Sequence, residues 1–114
     1  MDWQTARNLI AQRIEVETDL NTTDSTYRKV LEYSEADGVT VQIGEKTSNK
    51  ITILWAMLES CFYQLNTTEG YSGKYFRRQY KKQAKTHGCH VHVVGRIFVV
   101  AGLAVADESR YVSV

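Results

Sequence analysis

The chain of 114 residues contains no proline and only two cysteines. Without proline there is no polyproline ligand and no rigid linker. Cys61 and Cys89 are too few for a disulfide framework, so the composition speaks against a small secreted scaffold. No apolar run reaches the roughly eighteen residues that a membrane span needs. The start Met1-Asp2-Trp3-Gln4 lacks a basic region followed by an apolar stretch. A cytoplasmic chain with no membrane partner is therefore expected. Asn21-Thr22-Thr23 and Asn66-Thr67-Thr68 match the glycosylation pattern, but in such a chain they read as turns. No internal repeat and no low-complexity run is present. Hydrophobic residues at 43% and charged residues at 24% are a globular composition. One domain over residues 1–114 is the expected organisation, with an N-terminal helix at 1–15 and a body over 27–114.

Acidic residues are missing from one long stretch. Residues 70–106 carry seven bases and no acid, whereas residues 1–69 carry eleven acids and six bases. The net charge of +1 hides this separation. A chain so polarised says something about its partners.

Asp2 can cap a helix over about 2–15, where Trp3, Ala6, Ile10 and Ile14 recur at helical spacing. Glu15, Glu17, Asp19 and Asp24 then form an acidic loop. Val39, Val41 and Ile43 alternate with Thr40 and Gln42 behind an Asp37-Gly38 turn, which predicts a hairpin of 27–34 with 39–43. Ile51, Leu54, Trp55, Leu58, Cys61, Phe62 and Leu65 form one apolar stripe, read as a helix capped by Ser48 or Thr52. Asn66 to Gly70 stops it. A helix over 73–86 follows, with Ser72 at its cap and Gly88 in the left-handed position after it. Residues 90–101 are open to two readings. Six β-branched residues around Val94-Gly95-Arg96-Ile97 allow a hairpin. Val91, Val94, Ile97, Phe98 and Ala101 share one helical face, and the helix, ended by Gly102, is favoured. Residues 110–114 close as a strand.

The succession Asp37-Gly38-Val39-Thr40-Val41, a Lys/Ser loop, Lys50-Ile51-Thr52, a long helix, a second helix and a third ending in Ala101-Gly102-Leu103-Ala104 resembles small winged-helix-type modules of restriction and mobile-element proteins. The resemblance covers roughly 27–114 and lies in the order of elements. It implies DNA binding or protein contacts, and it assigns no functional residue. The expected fold is α+β and winged-helix-like, with three or four helices packed on a small antiparallel sheet. The expected core includes Leu9, Ile10, Val41, Ile43, Leu54, Leu58, Phe62, Phe76, Tyr80, Val94, Phe98 and Leu103.

The most informative feature is the basic helix. Lys74, Arg77, Arg78, Lys81, Lys82 and Lys85 would fall within an arc of about 140° on a continuous helix. Phosphates need cations that approach together, and such a face supplies them. A solvated face usually mixes charge signs, yet here like charges repel by about 0.2–0.5 kcal/mol per pair. An anion would relieve that, either a nucleic acid or the chain's own acidic loop, in cis or in a homodimer. Tyr71, Tyr75, Phe76 and Tyr80 interleave with these bases. Phe76 and Tyr80 suit the core, and Tyr71 and Tyr75 are freer to be exposed for base stacking.

His87, Cys89, His90 and His92 crowd together, but no second ligand pair of zinc-site spacing exists, so no metal and no other cofactor is expected. Cys89 beside His90 lacks an orienting carboxylate and an oxyanion hole. Glu32, Glu35, Asp37 and Glu45 read as a solvated hairpin rim rather than a nuclease site. No catalytic residue is assigned. The leading function is a non-catalytic nucleic-acid-binding accessory module, and the competing one is a protein-interaction or self-assembly module.

Overall fold

The computed structural model describes residues 1–20, 28–44 and 49–114. The architecture is α+β. Helix α1 (Trp3–Arg13) starts as the sequence predicts, with the Asp2 carboxylate accepting the Thr5 N–H at 2.8 Å. Ala6, Ile10 and Ile14 are fully buried, and the Trp3 ring packs 5.7 Å from Phe62 and 6.5 Å from Trp55. The apolar stripe of α1 is thus covered by its own chain.

Strand β1 (Arg28–Ser34) pairs antiparallel with β2 (Gly38–Ile43), with Ser34 opposite Gly38. This is the expected hairpin; Tyr27, Asp24, Glu45 and Ser48 lie outside the described residues. The expected helix over 51–65 divides. Lys50–Leu54 is strand β3, paired with β2, and only Trp55–Leu65 is helix α2. As a strand, the segment buries both Ile51 and Ile53 and completes a ladder with Val39 and Val41. A helical stripe would bury Ile51 and Leu54 and turn Ile53 outward. Each buried aliphatic contributes about 1.5–3 kcal/mol, so the choice costs little apolar burial and gains the ladder hydrogen bonds. Leu54, expected in the core, is consequently 47% exposed. Thr52 caps nothing; its hydroxyl shares a hydrogen bond with Thr40 at 2.9 Å across the strands.

Trp55 joins these pieces. Its indole N–H donates to the Ser34 carbonyl at 2.9 Å, and the Arg7 guanidinium lies 4.4 Å above its ring. After α2 the chain forms a two-residue strand β4 (Tyr71–Ser72) and the short helices α3 (Gly73–Gln79) and α4 (Lys81–Thr86). Residues 90–101 resolve to helix α5 (His90–Val100), as favoured. Gly102, at φ +80°, ends it, with the Leu103 N–H bonded back to the Phe98 carbonyl. Gly88, by contrast, does not adopt a positive φ: α4 stops at His87, whose N–H bonds to the Gln83 carbonyl.

Strands β5 (Ala104–Asp107) and β6 (Arg110–Ser113) close the fold, and β6 lies between β4 and β5 in a second sheet. Among the described residues there are therefore five helices and two three-stranded antiparallel sheets. The expectation of three or four helices on one sheet undercounted because 73–86 is broken and because β4 and β5 are too short to show a period. Gly95 of α5 faces the Tyr111 ring on β6, where an added Cβ would sit 2.2 Å from two ring carbons. That close approach explains the glycine in a helix otherwise built of β-branched residues.

Candidate nucleic-acid interface

The predicted basic helix is interrupted at Tyr80, which takes φ −132° and ψ 57° and serves as the end of α3 and the start of α4. The reason is tertiary. The Tyr80 hydroxyl shares a hydrogen bond with Ser60 of α2 at 2.6 Å, and its ring packs 5.2 Å from the fully buried Phe76. Backbone continuity survives through the Tyr80 N–H to the Phe76 carbonyl and the Ala84 N–H to the Tyr80 carbonyl. Phe76 and Tyr80 thus anchor the segment, as the sequence suggests.

Lys74, Arg77, Arg78, Lys81, Lys82 and Lys85 are all exposed. None of the six forms a salt bridge with a described residue. The two ion pairs among the described residues are elsewhere: Lys29 with Glu17 at 3.6 Å and Arg110 with Asp107 at 3.2 Å. The described part of the acidic loop runs beside β1, where the Val30 N–H donates to the Thr18 carbonyl. It does not neutralise the basic segment in cis.

Two hollows gather five of the six cations. Arg77, Lys81 and Lys85 surround Ala84 in an open hollow of about 350 Å³. Lys74 and Arg78 line a different hollow of about 290 Å³, together with Arg110. The pairs Arg77–Lys81 and Arg78–Lys82 straddle the break, yet Arg77 and Lys81 still line one hollow. Only Lys74–Arg78 and Lys81–Lys85 keep the four-residue helical spacing. Sequence reasoning missed Arg110, which it placed only at the start of a strand. The Asp107–Arg110 turn was the available signal.

Tyr71 is not exposed, contrary to expectation. It is fully buried, donates its hydroxyl to the Val91 carbonyl at 2.9 Å, and meets Phe98 edge-on at 6.2 Å. Burial holds its phenol well above the ordinary range. Tyr75 is half-buried, with its hydroxyl donated to the Ser60 carbonyl at 3.3 Å and Arg78 lying 5.9 Å from its ring. Stacking on bases by Tyr71 is therefore excluded, and Tyr75 offers only part of a ring.

His90 and Cys89 sit at the junction of α4 and α5. The His90 Nδ1–H donates to the His87 carbonyl at 2.8 Å, and its ring stacks on Phe76 at 5.7 Å. Burial pushes the Cys89 thiol up, although Arg28 opposes this. The cysteine is held as a thiol, and His90 is occupied elsewhere. Among the described residues no three His, Cys, Asp or Glu side chains gather into a group able to hold a metal. No helix among them is long and apolar enough to cross a membrane. The chain matches no family model, no curated protein and no solved structure.

Proposed function

We propose that this chain is a small non-catalytic module that binds nucleic acid through phosphate contacts made by α3 and α4. One observation carries this reading: six exposed cations lie within twelve residues and none has a described carboxylate partner. Such an array is internally repulsive and gains from a polyanion. The resemblance to winged-helix modules points the same way.

The test is salt dependence. Each neutralised duplex phosphate releases counterions, and the slope of log affinity against log salt is about −0.9 per contact. About four simultaneous contacts from a face broken in two give a slope of about −3 to −4. Lys81→Glu combined with Lys82→Glu abolishes binding while circular dichroism and melting stay unchanged, because both side chains are exposed. No retention of duplex or single-stranded oligonucleotide at low salt defeats the proposal. A change of oligomeric state in the double variant instead selects the competing reading, in which the basic face meets the acidic surface of a second copy.

A further inference from the structure

The hollow lined by Lys74 and Arg78 differs in kind from the rest of the basic surface. It is concave, about 290 Å³, and lies between α3 and the turn joining β5 to β6. Three cations, Lys74, Arg78 and Arg110, and one acidic residue, Glu69, line it. Arg110 is paired with Asp107, so Lys74 and Arg78 are the two cations there without a described ion-pair partner. Ser72 and Ser109 add hydroxyls that are not committed to any described residue.

The cations have distinct states. Lys74 and Arg78 stand one helical turn apart, exposed and without a described ion-pair partner, so an anion between them removes their mutual repulsion. Arg110 is fixed. Its Nε and Nη2 donate to Asp107, and its Nη1 donates to the carbonyls of Thr68 and Glu69. A guanidinium has five N–H donors, so one remains uncommitted. The site thus combines an immobilised guanidinium with two adaptable cations.

We infer that this hollow is a phosphate-monoester site, filled by the terminal phosphate of a nucleic-acid strand; the identity of the strand rests on the proposed function above. Charge and shape both favour a monoester. With a second pKa of about 6, a monoester carries close to two negative charges at neutral pH, one for each of the unpartnered Lys74 and Arg78, whereas an internal diester carries one. An internal diester is flanked by chain on both sides, while a terminal phosphate can enter a concavity end-on. The volume lies just below the roughly 300–1,000 Å³ range of ligand pockets, which suits a phosphate with its sugar better than a whole nucleotide cofactor.

The experiment compares single strands of about ten nucleotides carrying a 5′-phosphate, a 3′-phosphate or neither, by fluorescence anisotropy at one salt concentration. A phosphorylated end strengthens binding about tenfold, the equivalent of one charge-assisted hydrogen bond. Lys74→Ala with Arg78→Ala erases that ratio, whereas Lys82→Ala lowers all affinities and preserves it. Equal affinity for all three strands overturns the inference and leaves the nucleic-acid reading standing. If no strand binds, the nucleic-acid reading falls, and inorganic phosphate decides the hollow. A rise in melting temperature over chloride at equal ionic strength, lost in the Lys74→Ala, Arg78→Ala protein, assigns the site to free phosphate or a phosphorylated small molecule. No rise overturns the inference.

Discussion

Replacing Gly95 with alanine tests the closest approach in the fold. In a helix interior alanine is favoured over glycine by about 1 kcal/mol, so propensity alone makes the variant more stable. Packing opposes it. The new Cβ would lie 2.2, 2.2 and 2.7 Å from three carbons of the Tyr111 ring. Ordinary carbon contacts begin near about 3.5 Å, so ring or helix must move by about 1.3 Å. Tyr111 is only 8% exposed and sits on β6, hydrogen-bonded between β4 and β5, with Tyr71 6.0 Å away. With so little of Tyr111 open to solvent, the ring yields only by displacing a neighbour. Overpacking costs about 1–3 kcal/mol, and the upper half of that range applies here. The net loss is about 1–2 kcal/mol, a fall of about 4–8 °C in melting temperature for a chain of this size. Calorimetry and urea unfolding both measure it. In a Tyr111→Leu background the penalty shrinks, because a smaller side chain can yield, and the propensity gain emerges. A Gly95→Ala protein as stable as the wild type would refute the contact and the placement of β6 against α5.

Other expectations follow from single groups. Burial, opposed by the His87 carbonyl, lowers the His90 pKa below the ordinary imidazole value. The unfolded chain therefore binds a proton that the native state refuses, so His90's contribution is complete above the ordinary imidazole range and is lost as pH falls below it. Melting temperature should drop between about pH 7 and pH 5.5, and less steeply in His90→Phe, which keeps a ring against Phe76. An unchanged acid limb in that variant would refute this. The Cys61 thiol, fully buried, is pushed up to about 12, so alkylation of Cys61 in native protein should wait for unfolding, with Cys89 labelled first. Prompt native labelling of Cys61 would contradict its placement. Tyr80→Phe removes the 2.6 Å bond to Ser60 and should cost about 0.5–1.5 kcal/mol while speeding amide exchange in α4. Unaltered exchange there would show that the break is held by packing alone.

What could be read from the chain followed periodicity, and what could not was decided by neighbours distant in sequence. Val39, Val41 and Ile43 alternate over enough residues to declare β2, and Asp2 before the first helical stripe declares the start of α1. Ile51, Leu54 and Trp55 satisfy a period of 3.6, yet Ile51 and Ile53 also satisfy a period of 2. The decision belongs to Val39 and Val41, which lie opposite them. Gly95 looked like a turn signal because nothing local to 90–101 announces the Tyr111 ring above it. Likewise no residue near 80 is a helix breaker; the Tyr80 hydroxyl bonds Ser60, twenty positions earlier, where the helix breaks. All six basic residues of the candidate surface were legible as a charge cluster, but the gathering of five of them into two hollows was not. It depends on Arg110, brought beside Lys74 and Arg78 by the second sheet.

The break at Tyr80 has a consequence for how electrolyte acts on the protein. The two short helices are tied down by neutral bonds, a hydroxyl pair and buried rings, which screening leaves alone. What screening does weaken is the push between Lys74 and Arg78 and between Lys81 and Lys85. Added salt therefore firms the empty basic segment while loosening any polyanion from it. The same ions work in opposite directions on the two sides of one equilibrium, so binding affinity and amide exchange in α3 and α4 should both vary with ionic strength.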